Sequence, residues 1–296
     1  MTLVERAIDL GLRTTRVMPP RLAWWLGARL GWLFGSLPLR DARRCREHLG
    51  RAFPDRDAAW IERTARRCFR HFGRMALWSL STLGRDPRSL CRGIAVEGAD
   101  NLRELARACR RGQGTVGFVG HFGNWELLAR LSNLLAPTTM IGRRLRHPLA
   151  DRLVQGLRAS SGGRIVYQDQ DVRVPLRELR SGRFVATLVD QDIPRLAGVF
   201  VPWFGIDAYT PSAPAALALL GGGAAQCAFL YERGGRWVLH VGPRRIFPRT
   251  RDREADARAI TAWVIRYEEA LVRRAPEQWV WWHLRWRTRP ADVSAG

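Results

Sequence analysis

Hydrophobic positions divide the chain into a helical N-terminal part and a longer region in which short apolar runs alternate with helical stretches. The residues from Leu22 to Leu39 are apolar almost without interruption and predict a helix. Between residues 57 and 84, apolar side chains recur every three or four positions, which predicts an amphipathic helix. Its apolar stripe consists of Ile61, Ala65, Cys68, Phe72 and Met75. The same spacing predicts a long helix from Glu254 to Arg274.

Beyond Gly93, short runs rich in β-branched and aromatic residues predict strands. These strands are expected within residues 114–120, 139–143, 163–167, 183–190 and 198–204. Helices are predicted between some of them, from Asn124 to Leu135 and from Leu149 to Arg158. A hairpin is expected around Gly234 and Gly235. The fold class is therefore predicted to be α/β, with a central mixed β-sheet flanked by helices.

The apolar N-terminal helix is the one candidate for a membrane segment. It is short for a spanning helix, which needs about 20 apolar residues, and Arg29 near its middle is costly. Flanking arginines and terminal tryptophans favour a helix lying in the headgroup region, although an ordinary buried helix is the alternative. We predict an N-terminal membrane anchor with basic flanks in residues 1–45, a catalytic domain in residues 46–290 and a tail in residues 291–296.

Composition adds a prediction about partners. A chain of 296 residues with 46% hydrophobic residues can bury a core as one large or two small domains. The net charge of +22, carried entirely by arginine, points to an anionic membrane surface, an acidic carrier protein or nucleic acid. Five scattered cysteines without a C-x-x-C pair argue against a disulfide framework and favour a reducing compartment.

His121 and Glu126 stand where a strand is predicted to end and a helix to begin, in the stretch GHFGNWELLAR. Open α/β sheets bind their ligands beyond the carboxyl ends of their strands, which is where His121 falls. Asn124 is a good helix N-cap, so Glu126 lies in the first turn, where the helix dipole favours a carboxylate. A tight turn would bring that carboxylate to one imidazole nitrogen and leave the other nitrogen as a general base.

Residues 120–130 contain no serine or cysteine, so such a base would act on a hydroxyl or amine of the substrate, which attacks an activated acyl group. The alternative is that His121 bonds to a backbone group and that Glu126 is a solvated acid. From the pair alone, both interpretations stay open.

Asp190 and Asp192 follow the predicted strand of residues 183–190 and point to the same side of an extended chain. Two such carboxylates could hold Mg²⁺ or Ca²⁺. Without a third ligand nearby, we favour hydrogen bonds to backbone amides and arginines, and no metal is expected. His283, which lies among tryptophans, is interpreted as a packed structural residue.

Three blocks in order, GHFGNWELLAR, VDQDIPRLAGVFVPWFG and PEQWVWWHLRWRTRP, resemble the lipid A biosynthesis acyltransferase family. The likeness covers the chain from about Leu22 to Pro290. Members of this family are late acyltransferases, which move a fatty acyl chain from acyl carrier protein to a lipid A precursor. The resemblance implies a glycerolipid acyltransferase-like fold, a glycolipid acceptor and a reaction without a cofactor.

Carried over residue by residue, the resemblance makes His121 the general base and Glu126 its partner. It gives Arg143 contact with acceptor phosphate or with the reaction's oxyanion, and it makes Asp190 and Asp192 residues that shape the site. Asn124, whose helix start would face the oxyanion, is placed in the substrate-binding set. The chain departs from the family after Arg143, where it has Arg144, Leu145, Arg146 and His147 in place of proline and asparagine-rich sequence.

That departure leaves a second acceptor class open, such as a lysophospholipid or another glycolipid, with acyl-CoA as an alternative donor. A basic nucleic-acid-binding protein is the rival from another class, because arginines interleaved with aromatic residues can bind single strands. No nucleic-acid-binding motif is visible in the sequence, and nucleic acid is therefore not expected as a partner. The predicted location is the cytoplasmic face of the cell inner membrane.

Overall fold

The computed structural model describes residue 15 and residues 17–145, 148–168 and 171–290. By its internal contacts the chain forms two compact units, one of Met1–Arg85 with Arg274–Trp282 and the other of Asp86–Arg273 with His283–Gly296. The N-terminal unit thus extends well beyond residue 45. The predicted anchor of residues 1–45 lies partly outside the described residues, and the predicted tail of residues 291–296 lies wholly outside them. The three-part division remains a prediction.

The N-terminal unit consists of helices α1 (Pro20–Ser36), α2 (Arg40–Ala52) and α3 (Ala58–Ser81), and of a 3₁₀ turn at Pro276–Gln278. The predicted apolar and amphipathic helices are confirmed as α1 and α3. Within the described chain, no helix combines the length and the apolar character that crossing a bilayer requires.

Helix α1 packs against α3 through a row of glycines four residues apart, Gly27, Gly31 and Gly35. Gly27 lies against the backbone of Gly73 and Gly31 against that of Phe69, so the two helices run antiparallel at close range. A Cβ atom at Gly31 would overlap the carbonyl oxygen of Phe69. Because glycines form the seam, the large apolar side chains of α1 face outward. The exposed ones in and just after this helix are Leu22, Trp25, Leu30, Trp32, Leu33, Phe34, Leu37 and Leu39.

The C-terminal segment of this unit contributes two indoles, Trp279 and Trp281, that are completely buried. The backbone carbonyl of Trp281 lies 2.7 Å from Nδ1 of His48, and the thiol of Cys68 donates to the carbonyl of Trp279 at 3.1 Å. These bonds hold α2 and α3 to a segment more than 200 residues away in sequence. Burial lowers the pKa of His48 in spite of this carbonyl.

The second unit is built on an eight-stranded sheet. Its strands are β1 (Ala95–Glu97), β2 (Thr115–Val119), β3 (Thr138–Gly142), β4 (Arg164–Tyr167), β5 (Phe184–Leu188), β8 (Ala224–Arg233), β9 (Arg236–Val241) and β10 (Arg245–Ile246). They follow the order β1-β9-β8-β2-β5-β3-β4, and β10 pairs with β8. Strands β6 (Gly198–Trp203) and β7 (Ile206–Pro211) form a separate antiparallel pair.

Helices occupy most of the connections in this unit. They are α4 (Pro87–Leu90), α5 (Ala99–Arg110), α6 (Trp125–Leu135), α7 (Pro148–Ala159), α8 (Arg173–Arg180), α9 (Ala213–Leu220) and α10 (Arg253–Arg274). Strand β2 pairs in parallel with β5 and β8, whereas β8 and β9 are antiparallel. The predicted α/β class with a mixed central sheet flanked by helices is therefore confirmed, as is the hairpin, where Gly234 and Gly235 both have positive φ.

Candidate active site

His121 and Asp190 meet because their strands are parallel neighbours. Strands β2 and β5 pair in a register that places Val119 opposite Leu188, and each of the two polar residues follows its strand end by two positions. Both strands are almost completely buried, so their apolar side chains fix this register. Two residues 69 positions apart in sequence are thereby brought to the same edge of the sheet.

Asp190 holds His121 through two hydrogen bonds. Its carboxylate accepts the backbone N–H of His121 at 2.7 Å and lies 2.7 Å from the Nδ1 atom of the same residue. Burial alone would raise the pKa of Asp190, but the imidazole of His121, by charge and hydrogen bond, holds it well below its usual range. An ionised carboxylate can only accept, so Nδ1 carries a proton, and in the neutral ring Nε2 carries the lone pair.

The side of the His121 ring opposite Asp190 faces polar and aromatic neighbours. Its Nε2 atom lies 3.2 Å from the side-chain nitrogen of Gln191. The ring of His283 stands edge-to-face against it with centroids 4.8 Å apart, and Trp125 does so at 5.2 Å. About 14% of the His121 side chain is exposed, which leaves the imidazole accessible while Asp190 is sealed off.

Glu126 is not the partner of His121, which corrects the pairing predicted from sequence. Its carboxylate accepts two bonds from the guanidinium of Arg158, at 2.6 and 2.9 Å, and one from the indole N–H of Trp125 at 3.1 Å. Burial would lower the pKa of Arg158, but the charge of Glu126 raises it. Glu126 therefore ties α6 to α7, and its link to the imidazole runs through Trp125.

Asn124 is the N-cap of α6, as predicted. Its side-chain oxygen accepts the backbone N–H of Leu127 at 2.9 Å, and its own backbone N–H donates to the carbonyl of Leu230 on β8. Gly123 before it has φ +65°, and a Cβ atom there would overlap the same Leu230 carbonyl. The turn between His121 and α6 is thus fixed by a glycine and a cap. A substrate-binding role for Asn124 remains a prediction.

Asp192 and Arg143 complete the set predicted from sequence. The carboxylate of Asp192 accepts the backbone N–H and the hydroxyl of Thr288, at 2.6 and 2.8 Å, and so ties the C-terminal segment to this sheet edge. Arg143 is exposed on the loop that follows β3. The departure from the family at residues 146–147 lies outside the described residues. Roles for Asp192 and Arg143 in substrate binding remain predictions.

Among the described residues, no further ligand joins Asp190 and Asp192 to form a metal site. The carboxylates of Asp190 and Asp192 are bonded to His121 and Thr288, as described above. Over the residues that the structure describes, no group of three or more His, Cys, Asp or Glu side chains is arranged to hold a metal ion.

An apolar cavity of about 760 Å³, including its part open to solvent, lies between the sheet and its helices. Trp125, which packs against His121, also lines this cavity, and so does Arg158. The apolar lining comes from α5, α6 and five strands and includes Leu105, Leu128, Met140, Phe184, Leu188 and Leu239. A long hydrocarbon chain would be desolvated there with one end close to the histidine.

The sequence does not mark three residues of this region as site residues. Gln191 stands between two aspartates, His283 is expected to be structural, and Arg158 falls in a predicted helix. Only the tripeptide of residues 190–192 offered a signal. Asp190 contacts His121, Gln191 contacts both His121 and His283, and Asp192 contacts Thr288.

The chain is similar to known proteins along almost its whole length. Residues 7–288 match the profile of the bacterial lipid A biosynthesis acyltransferases. The chain is 27% identical to the lipid A biosynthesis lauroyltransferase of Escherichia coli K12, over 95% of this chain and 97% of that protein. It is 28% identical to the lipid A biosynthesis palmitoleoyltransferase of the same strain and to the lipid A biosynthesis acyltransferase of Shigella flexneri, in each case over 94% of this chain and 89% of the relative. The chain is therefore an acyltransferase and belongs to the bacterial lipid A biosynthesis acyltransferase family.

Proposed function

We propose that this enzyme transfers a fatty acyl chain from a thioester on acyl carrier protein to a hydroxyl group of a lipid A precursor, with His121 as the general base. The observation that carries the proposal is the pair formed by His121 and the buried Asp190. It fixes the imidazole with its proton on Nδ1, as a base for an incoming hydroxyl requires.

The reaction follows from this pair. The Nε2 atom of His121 takes the proton of the acceptor hydroxyl while its oxygen attacks the thioester carbonyl. Asp190 stabilises the imidazolium that forms. When the tetrahedral intermediate collapses, the carbon–sulfur bond breaks and the departing thiolate takes the proton from His121. The acyl chain lies in the apolar cavity beside Trp125, where burial of its methylene groups supplies binding energy.

Glu126 supports this site indirectly. By holding Arg158 and the indole of Trp125, it fixes the wall that the cavity and the base share. The charge on the arginine is neutralised where it borders an apolar cavity, and an unpaired cation would be costly there. This role replaces the orienting role that the sequence suggested for Glu126.

The acceptor and the donor carrier follow from charge and from the relatives. The relatives named above are lipid A acyltransferases, and lipid A precursors are phosphorylated glycolipids that suit a chain with a net charge of +22. The same charge complements an acidic carrier protein. Another glycolipid or a lysophospholipid acceptor, with acyl-CoA as donor, is the alternative, since the loop after Arg143 departs from the family pattern.

For membrane attachment we propose that the outward face of α1 lies in the headgroup region at the cytoplasmic side of the inner membrane. This face carries tryptophans and leucines, Arg21 lies in the first turn of the helix, and Arg40 and Arg43 follow its end, a combination that suits an interfacial helix on an anionic surface. Replacing Trp25, Trp32 and Leu33 together by serine should release the protein from anionic vesicles in a flotation assay. Unchanged flotation would contradict this arrangement.

Replacing His121 by alanine tests the chemistry. General base catalysis contributes ~10²–10⁴-fold, so kcat for transfer from acyl carrier protein to a lipid A precursor should fall by at least ~10²-fold in a folded protein. His240→Ala, a histidine of the same sheet away from this site, is the matched control and should retain activity. Mass spectrometry of membrane lipids from cells with and without each variant identifies the acceptor and the added chain. Near-normal transfer by the His121 variant would refute the proposal.

A further inference from the structure

The carboxamide of Gln191 is held beside the nitrogen of His121 that acts on the substrate. Its Nε2 atom lies 3.2 Å from Nε2 of His121 and 3.3–3.4 Å from the two ring nitrogens of His283. The residues on either side are both anchored, Asp190 on His121 and Asp192 on Thr288. The backbone that carries Gln191 is therefore fixed at both ends, and its side chain is flanked by two imidazole rings.

The position of this amide matters because of what the base must contact. During the reaction, the attacking oxygen lies within hydrogen-bond distance of Nε2 of His121. The carbonyl oxygen that gains negative charge is bonded to the same carbon as the attacking oxygen. A donor that already lies 3.2 Å from the base nitrogen is thus within reach of the place where the oxyanion develops.

We propose that Gln191 is a catalytic residue whose side-chain N–H stabilises the oxyanion of the tetrahedral intermediate, an inference that rests on the proposed function. In the structure, this N–H donates to the lone pair of His121. When the acceptor hydroxyl takes that place, the N–H turns to the thioester carbonyl oxygen. That oxygen receives the π electrons as the new C–O bond forms and returns them as the C–S bond breaks.

Two other polar side chains of this region are less suited to the role. Asn124 caps α6 through its oxygen, and its amide nitrogen is buried without a hydrogen-bond partner among the described residues, in a side chain that is completely inaccessible. The guanidinium of Arg158 is occupied by both oxygens of Glu126. Arg143, which the sequence suggested for this task, is exposed on the loop after β3. An amide is also suited to the role, because it donates to an anion without carrying a positive charge that would repel the imidazolium.

Gln191→Leu tests the inference, because leucine has a similar size and no donor. Removal of one oxyanion donor typically costs ~10²–10³-fold in kcat, so a loss of this size is expected with KM for both substrates nearly unchanged. Gln191→Asn, which keeps a shorter donor, should recover part of the loss. Gln113→Leu, at an exposed glutamine before β2, is the matched control.

If Gln191 had only a structural role, its replacement would also lower kcat, but without a selective loss of binding to the transition state. The second measurement therefore uses a phosphonate analogue of the acyl transfer, whose tetrahedral anion imitates the intermediate, and a non-transferable thioether analogue of the donor. In Gln191→Leu, the inhibition constant of the phosphonate should rise by the same factor by which kcat falls, and thioether binding should not change.

Two results would overturn the inference. They are a kcat within threefold of the wild-type value, and a lowered kcat with unchanged phosphonate affinity. Either result would leave the proposed function intact as long as His121→Ala remains inactive. If His121→Ala transfers the acyl chain normally, the proposed function itself fails, so the two failures are distinguishable.

Discussion

The exchange Asp190→Asn probes the base while it preserves the shape of the site. In the structure, the carboxylate accepts both the Nδ1–H and the backbone N–H of His121 at 2.7 Å. An amide can accept through its oxygen only, and its NH₂ group must then face one of these two donors. If it faces the ring, the proton moves to Nε2 and the lone pair that receives the acceptor proton is lost.

The expected loss combines the wrong tautomer with an imidazolium that has no counter-charge. Loss of the acid that holds a catalytic histidine costs ~10⁴-fold in kcat in comparable triads. We expect a fall of ~10³–10⁴-fold here, equal to about 4–5.5 kcal/mol of transition-state stabilisation. Asp190 is completely buried, so water cannot replace its charge, and the expected effect is therefore larger than the loss of one ordinary hydrogen bond.

The assay is single-turnover transfer of a labelled acyl chain from acyl carrier protein to a lipid A precursor, with circular dichroism and a thermal melt to show that the variant is folded. Asp100→Asn, an exposed carboxylate at the start of α5, controls for loss of one negative charge. A folded Asp190→Asn enzyme with kcat within tenfold of the wild-type value would refute the assignment of Asp190 as the acid that holds His121.

Three further predictions concern residues that the structure reinterprets. Glu126→Gln should keep kcat within about tenfold of the wild-type value but lower Tm, since it weakens the pair with Arg158 and leaves the bonds of His121 intact. A loss of kcat as large as that of Asp190→Asn would restore the pairing of Glu126 with His121 that the sequence predicts. Gly31→Ala should destabilise the N-terminal unit by ~1–3 kcal/mol in a urea melt, because the added methyl group meets the α3 backbone, and an unchanged midpoint would contradict that seam. Burial lowers the pKa of His48 below its ordinary 6.5, so its contribution to stability is fully present above that pH and is lost as the pH falls below it and through the lowered pKa of the folded state. Tm of wild type should therefore fall more between pH 7.5 and 5.5 than Tm of His48→Gln, and parallel losses would remove His48 as the cause.

Much of the fold could be predicted from local patterns. The amphipathic spacing of α3 and the short buried runs of β2 and β5 are direct consequences of which side chains avoid water. The glycine row of α1 is not evident from the apolar pattern, because that pattern describes only the large side chains of the segment. Glycines four residues apart let two backbones approach closely, and that explains why the bulky residues of the helix are left on its outer face.

The site was only half predictable, since its decisive contact is not local. His121, as the candidate base, could be placed from the sequence because a strand visibly ends before it. The pairing of β2 with β5, which brings Asp190 to it, depends on the order of strands in the sheet, and no spacing in the sequence reveals that order. The sequence therefore favours Glu126, which is close to His121 along the chain, over Asp190, which the pairing of the strands brings next to it.

The competition between the two acids has a simple electrostatic basis. Glu126 lies within reach of Arg158, whose guanidinium is always charged and offers two parallel donors, so this carboxylate gains more from the arginine than from an imidazole with a single N–H. Asp190 is completely buried just beyond the end of β5, and the donors it meets there include both N–H groups of His121. With Glu126 bound to Arg158, the carboxylate that contacts the imidazole is Asp190, at 2.7 Å from Nδ1. The arginine thus leaves the imidazole to a carboxylate that is completely buried.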